Sequence, residues 1–134
     1  MTIPLLDTHA WIWWVDGDDR LEPRIRKKLD AFPEAERPLI SDISLWEMAM
    51  LVNLGRVALK VSFETWLAAA ANPRTVRVLP INGMIAADVA RLPDTFHRDP
   101  ADRVIVSTSR VHGLPILTKD QRIAGSGLAR LWKA

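Results

Sequence analysis

The stretch Leu5-Leu6-Asp7-Thr8-His9-Ala10-Trp11 decides the fold class, because a short apolar run ends in a carboxylate and a helical pattern follows at once. An apolar run of this kind is typical of a buried strand. In an open parallel sheet, ligands bind in the crevice outside the carboxyl ends of the strands, so Asp7 is placed there for chemistry. An Asp before a helix is also a common N-cap, and a purely structural role for Asp7 stays open at this point.

Further apolar runs alternate with helical patterns along the chain. The candidate strands are residues 39–40, 76–79 and 116–118, with residues 131–132 as a candidate for a short fifth strand. This alternation predicts an α/β fold around a central parallel sheet of about four to five strands. The length of 134 residues, 49% of them hydrophobic and 25% charged, fits a single domain over residues 1–134.

The composition excludes several kinds of site. The chain has no cysteine, which removes disulfides, thiol nucleophiles and Cys-type zinc sites, and its three histidines show no metal-ligand spacing. Any bound metal is therefore expected to be held by carboxylates. The longest apolar run, residues 10–15, is far too short to span a bilayer, so we expect a cytoplasmic protein with no membrane partner. The net charge of +2 permits a nucleic acid partner without requiring one.

Three more carboxylates follow the pattern of Asp7, each at the end of a candidate strand or one helical turn beyond it. They are Glu47, Asp102 and Asp120. Two carboxylates at 4 Å repel each other by about 4 kcal/mol at an effective dielectric constant of 20, so a cluster of four needs a cation. Oxygen ligands select a hard ion, and the pattern predicts a site for Mg²⁺ or Mn²⁺.

Some of these acids also have structural interpretations. The spacing Ser44-x-x-Glu47 fits a capping box, in which the glutamate reaches back to the amide of the cap residue. Asp99 before Pro100 is a good N-cap for the helix that follows. Asp102 is less easily explained in this way, because it lies one turn into that helix on its apolar side.

Four motifs carry a family resemblance through nearly the whole chain. They are Leu5-Leu6-Asp7-Thr8-His9, Ser44-Leu45-Trp46-Glu47, His97-Arg98-Asp99-Pro100-Ala101-Asp102-Arg103 and Leu117-Thr118-Lys119-Asp120, of which the third is the most distinctive. In these motifs the chain resembles the PIN-domain ribonucleases, and among them the VapC-type toxins of bacterial toxin-antitoxin pairs. The resemblance implies a single PIN-like three-layer α/β/α domain, RNA cleavage, a cognate antitoxin and a homodimer.

The resemblance also implies which residues hold the metal. Asp7, Glu47 and Asp102 would carry the site, with Asp120 as the more variable fourth acid. Ala101 stands where the family often has Phe, which leaves both neighbouring acids intact. Which of Asp99 and Asp102 binds the metal stays open; we favour Asp102, with Asp99 as a cap or an indirect contributor.

The expected mechanism follows from such a site. One or two ions held by the acids lower the pKa of a bound water, which attacks the phosphodiester in line and leaves 5′-phosphate and 3′-hydroxyl ends. Thr8, Ser44 and Thr118 are candidates to orient ligands or water, although all three are also ordinary cap and turn residues. His9 and His97 are weaker candidates for general acids, because neither has a visible partner.

The helix after Asp7 is apolar nearly all round, which is typical of a helix covered on more than one side. We expect Trp11 and Trp14 to lie on a surface covered by a partner, either the second subunit or an antitoxin helix. Aromatic core packing is the structural alternative.

Two other classes of function stay in view. A magnesium-dependent phosphatase of the haloacid-dehalogenase kind also begins with Asp at a strand tip, but it normally needs a second Asp two residues on, where this chain has His9. A non-catalytic PIN-fold binding module would keep the fold without the chemistry, but a pure binder gains nothing from clustered repulsion. An RNA cleavage assay with and without metal separates the three classes.

Overall fold

The computed structural model describes residues 2–134, in which four strands and seven α-helices alternate as predicted. The strands are β1 (Leu5–Leu6), β2 (Leu39–Ser41), β3 (Arg77–Leu79) and β4 (Ile116–Leu117). The helices are α1 (Thr8–Asp16), α2 (Pro23–Asp30), α3 (Ile43–Asn53), α4 (Phe63–Ala70), α5 (Gly83–Arg91), α6 (Pro100–His112) and α7 (Gln121–Ala124). No helix within residues 2–134 combines the length and the apolarity that crossing a bilayer requires.

The four strands form one parallel sheet in the order β3-β2-β1-β4. Leu5 of β1 pairs with Leu39 on one side and with Ile116 on the other. The candidate fifth strand is reduced to a single bridge between Leu131 and Ile116. The chain moves outward from β1 to β3 and then returns to the other side of β1. Such a switch point opens a crevice at the carboxyl ends of β1 and β4.

Neighbouring residues of each strand belong to different apolar cores, because strand side chains alternate between the two faces of a sheet. Leu6 packs in a core with residues of α1 to α4, whereas Leu5 packs in a second core with residues of α6 and α7. Ile40 and Leu39 divide in the same way. Helices therefore cover both faces of the sheet, and the predicted three-layer α/β/α arrangement is confirmed.

Trp11 and Trp14 lie in the core, and the prediction that they face a partner is wrong. Trp11 is 0% exposed and Trp14 is 8% exposed. The indole N–H of Trp11 donates to the carbonyl of Ala70, and that of Trp14 donates to Asp30. The helices α2 and α4 of the same chain cover α1 on its apolar side, so no second protein is needed to bury these rings.

Candidate active site

Asp7 is the residue directly after β1, and it both caps a helix and lines a cleft. Its Oδ1 accepts a hydrogen bond from the Ala10 backbone N–H at 2.8 Å, which is an N-cap interaction for α1. Its Oδ2 accepts a hydrogen bond from the hydroxyl of Thr118, the residue after β4. The structural and the chemical interpretations of Asp7 are therefore compatible, since the capped carboxylate still borders the cleft.

Glu47 lies in the second turn of α3 and does not take part in a capping box. The N-cap of α3 is Asp42, so Ser44 is already inside the helix, and its hydroxyl lies 2.9 Å from the hydroxyl of Thr8. The capping interpretation of Glu47 is wrong because the helix starts before Ser44. Oε1 of Glu47 is buried and has no hydrogen-bond partner within residues 2–134. A buried carboxylate oxygen of this kind is costly unless a cation or a ligand satisfies it.

Asp99 and Asp102 stand at the start of α6 and have different partners. Asp99 is the N-cap, and its Oδ1 accepts a hydrogen bond from the Asp102 backbone N–H at 3.0 Å, with Pro100 as the first helical residue. Oδ2 of Asp102 lies 2.6 Å from Nε2 of His97, and both side chains are mostly buried. The predicted cap at Asp99 is confirmed, and His97 has the partner that the sequence did not reveal.

Asp120 follows β4 and caps α7 by accepting a hydrogen bond from the Arg122 backbone N–H at 2.8 Å. The guanidinium of Arg122 returns to the same carboxylate, with Nη2 at 2.9 Å from Oδ2. The same nitrogen lies 3.9 Å from Oδ2 of Asp102. Arg122 thus places one positive charge between two of the acids.

The acids meet around one cleft of about 430 Å³. Its carboxylates are Asp7, Asp16, Asp18, Glu47, Asp99, Asp102 and Asp120, and its basic side chains are His9, Arg20, Arg56 and Arg122. Thr8 also lines the cleft, while Ser44 and Thr118 are bonded to residues that do. A larger cavity of about 620 Å³ near the C-terminus has no acidic side chain in its lining. Chemistry rather than size therefore identifies the candidate site.

Three of the acids are held in surroundings that disfavour their charge. Burial raises the pKa of Asp7 to about 6, against the opposing hydrogen bonds from Thr118 and Ala10. Burial also raises the pKa of Glu47 and of Asp102, and neighbouring carboxylates add to the rise. Loss of hydration is thus the largest cause of these raised pKa values, and repulsion between the carboxylates is a smaller cause. Both costs are relieved by a cation.

Asp120 behaves in the opposite way from the buried acids. Its hydrogen bonds with the Arg122 side chain hold its pKa below the ordinary value, although partial burial works against them. The local positive charge of Arg122 therefore keeps Asp120 ionised, and any metal bound here would share Asp120 with that guanidinium.

The donor set fits a divalent cation. Carboxylate oxygens dominate the cleft, and the buried Oε1 of Glu47 is a donor with no other partner in the described part of the chain. His97, Asp102 and Asp120 each offer one ligand atom, and these atoms lie within 4.8 Å of one another. Nε2 of His97 already pairs with Oδ2 of Asp102 at 2.6 Å, so the imidazole supports a carboxylate in this group and the carboxylate site stays a prediction.

Several residues of the cleft were not predicted from the sequence. Arg20, Arg56 and Arg122 come from three separate loops or helices, and nothing in their spacing predicts that they converge. Trp13 was predictable in principle, because it stands four residues after His9 and three before Asp16 and so shares their helix face.

Comparison with known proteins agrees with this architecture. The PIN domain family model matches residues 5–125, and the chain therefore belongs to the PIN domain family. It is 34% identical over 123 residues to Ribonuclease VapC22 of Mycobacterium tuberculosis (strain ATCC 25618 / H37Rv), a match that covers 92% of this chain and 91% of that protein.

Solved structures share the fold. A DNA-bound VapBC from Salmonella typhimurium superposes with a TM-score of 0.65 at 24% identity and covers 98% of both chains. FitAcB from Neisseria gonorrhoeae gives a TM-score of 0.63 at 20% identity and covers 97% of both chains. A toxin-antitoxin complex from Klebsiella pneumoniae gives 0.60 at 21% identity, with 94% of both chains covered. At these identities the superpositions establish the fold alone.

Proposed function

We propose that this protein is a metal-dependent endoribonuclease that cleaves RNA phosphodiester bonds with a metal-activated water, and that it is the toxin of a toxin-antitoxin pair. The observation that carries the proposal is the acid-lined cleft, in which Oε1 of Glu47 is buried without a partner in residues 2–134. Membership of the PIN domain family and the 34% identity to a ribonuclease support it.

The proposed ligands are Asp7, Glu47, Asp102 and Asp120, with Asp99 as an indirect contributor. A divalent cation, Mg²⁺ or Mn²⁺, supplies Lewis acidity, a lowered pKa for a nearby water and charge for the leaving oxygen when it is bound. Oδ1 of Asp99 already accepts the capping hydrogen bond of α6, and for this reason we do not include Asp99 among the direct ligands.

Neighbouring side chains hold these acids in place. The Thr118 hydroxyl donates to Asp7, and the hydroxyls of Thr8 and Ser44 pair with each other at 2.9 Å between α1 and α3. His97 holds Asp102 through its Nε2. Such contacts fix the orientation of metal ligands and strengthen binding. The proposed supporting residues thus act through the acids rather than on the substrate.

The reaction is tested by its products. Purified protein with Mg²⁺ or Mn²⁺ should yield 5′-phosphate and 3′-hydroxyl ends, and a chelator should abolish cleavage. A 2′-deoxy nucleotide at the scissile position should still be cut, because the 2′-hydroxyl is not the nucleophile. Cyclic phosphate ends that form equally well in chelator would overturn the proposal. Hydrolysis of a phosphomonoester without RNA cleavage would favour the phosphatase, and RNA binding without cleavage the binding module.

For the partners, we propose a cognate antitoxin and a homodimer that uses the outer face of α3. Trp46, Met50 and Leu54 are spaced four residues apart and are 50%, 37% and 58% exposed, so they form an apolar stripe on one helix face. This stripe, in place of Trp11 and Trp14, is therefore the surface that we propose contacts a partner protein. Trp46→Glu should shift the protein towards monomer in sedimentation velocity while its circular dichroism spectrum stays that of the folded parent. An unchanged sedimentation coefficient would remove the stripe from the dimer contact.

The cytoplasmic location and the single domain over residues 1–134 stay predictions.

A further inference from the structure

The helix α1 presents an aromatic face to the acid cleft. His9, Ile12, Trp13 and Asp16 all line the cleft, and their spacing of three and four residues places them on one side of the helix. The mechanism proposed above uses none of these four side chains. This face of α1 therefore lines the cleft beside the acids. It is available to contact a part of the substrate other than the scissile phosphate.

Trp13 differs from the tryptophans of the core. Each of the four buried indoles donates its N–H to a protein oxygen: those of Trp11, Trp14, Trp66 and Trp132. Trp13 is only partly buried, and its indole N–H has no protein acceptor within residues 2–134. The ring of Trp13 packs partly against the core and partly lines the cleft, where it can contact a ligand.

Arg20 lies over the ring of Trp13 and covers part of one face of it. Its guanidinium carbon lies 5.0 Å from the centroid of the Trp13 ring. Asp18 fixes the guanidinium in a fork, with Nε at 3.1 Å from Oδ1 and Nη2 at 2.7 Å from Oδ2. Arginine planes and aromatic rings are the two kinds of side chain on which unpaired nucleobases stack in protein–RNA complexes.

The segment that carries Trp13 and Arg20 is held by a second arginine, Arg26. The guanidinium of Arg26 donates to the carbonyls of Trp13, Trp14 and Asp18 at 3.2, 2.7 and 2.8 Å. These bonds satisfy carbonyls at the C-terminal end of α1 and tie down the turn at Gly17. The surface made by Trp13 and Arg20 is thus formed before a ligand arrives, which reduces the entropy lost on binding.

We propose that Trp13 and Arg20 form a stacking subsite for one unpaired nucleobase of the RNA, next to the scissile phosphate held at the acids. The inference rests on the proposed ribonuclease function and adds to it a contact for one base beside the scissile bond. Both planes accept any base, so the subsite selects for an unstacked nucleotide rather than for one sequence.

The first test compares two perturbations of the same contact. Trp13→Leu keeps an apolar side chain against the core but removes the aromatic plane. On a short single-stranded RNA it should lower kcat/KM by about 5- to 150-fold, the range that base–aromatic stacking provides. An abasic nucleotide beside the scissile bond should lower kcat/KM of the parent by a similar factor. The two losses should not multiply when they are combined, because each removes the same contact. The inference would be overturned if the losses from Trp13→Leu and from the abasic nucleotide multiplied in full on whichever side of the scissile bond the abasic nucleotide was placed.

Conservative variants separate stacking from folding. Trp13→Phe should recover most of the activity, and Arg20→Gln should lose part of it. Arg24→Gln is the matched control for lost charge, since Arg24 is exposed on α2 and does not line the cleft. An equal loss in Arg24→Gln and Arg20→Gln would assign the effect to net charge and contradict the proposal.

A binding experiment decides the matter independently of cleavage. Asp7→Asn protein in Mn²⁺ is mixed with an oligoribonucleotide of about ten nucleotides that carries one 2-aminopurine, whose fluorescence falls when it stacks on an aromatic ring. Quenching that disappears with Trp13→Leu supports the subsite, and no quenching in the Asp7→Asn protein overturns it. If the parent protein cleaves no RNA, the proposed function fails while this experiment still decides whether a base stacks on Trp13.

Discussion

Replacement of Asp7 by Asn should stabilise the metal-free protein, although it should abolish cleavage. Burial raises the pKa of Asp7 to about 6 from an ordinary value of 3.8. This rise corresponds to about 3 kcal/mol of unfolding free energy that the ionised carboxylate costs the folded state at neutral pH. Asn removes the charge and keeps an oxygen to accept the Ala10 cap bond.

The expected gain in unfolding free energy is reduced by the loss of one hydrogen bond. The Thr118 hydroxyl donates to Oδ2 of Asp7, and an amide nitrogen in that position cannot accept it. Loss of this bond costs about 1 kcal/mol, so a net gain of about 2 kcal/mol is expected. For a chain of 134 residues this is a rise of roughly 7 °C in Tm.

The raised pKa of Asp7 also determines how the stability of the parent changes with pH. The pKa of Asp7 is higher in the folded chain than in the unfolded chain, so the unfolded chain loses its proton first as the pH rises. The parent therefore loses stability between about pH 4 and about pH 6, and the full cost is present above that range. The advantage of Asp7→Asn should be largest at neutral pH and should vanish near pH 4.

The assay is thermal and chemical unfolding in a chelator at several pH values. Asp94→Asn is the matched control, because Asp94 is exposed and the substitution removes the same charge outside the cleft; its effect should stay within about 0.5 kcal/mol. Added Mn²⁺ should stabilise the parent by more than it stabilises Asp7→Asn, which keeps the other three proposed ligands. An Asp7→Asn protein that is less stable than the parent at neutral pH in chelator would refute the account of a desolvated carboxylate.

Three further predictions concern His97, Ser44 and Trp11. His97→Ala should weaken Mn²⁺ binding by about 10- to 100-fold in isothermal titration, because Asp102 loses its partner, and unchanged affinity would show that the imidazole does not orient it. Ser44→Ala leaves the Thr8 hydroxyl without its partner and should lower stability by about 1–3 kcal/mol in urea unfolding; a neutral effect would mean that water replaces the bond. Trp11→Ala should cost about 3–5 kcal/mol of stability, and a folded variant whose only defect is a weaker complex would restore the partner interpretation.

Local patterns in the sequence determined most of the architecture and part of the site. The strand tip at Asp7, the cap at Asp99 and the helix of 13 residues that follows were all predictable, because caps, apolar runs and helical periodicity act over a few neighbouring residues. The edge location of the acids follows from the same information, since parallel strands end on one side of a sheet.

The tertiary structure decided which partner each side chain has. Ser44 looked like a helix cap and instead pairs with Thr8, 36 residues away in the chain. His97 has no visible partner in the sequence, but the loop before α6 places its Nε2 at 2.6 Å from Oδ2 of Asp102. The helix α1 is apolar nearly all round, so periodicity could not show that Trp11 faces the core and Trp13 faces the cleft. Such choices depend on which helices pack against which face, and that packing is set by contacts distant in sequence.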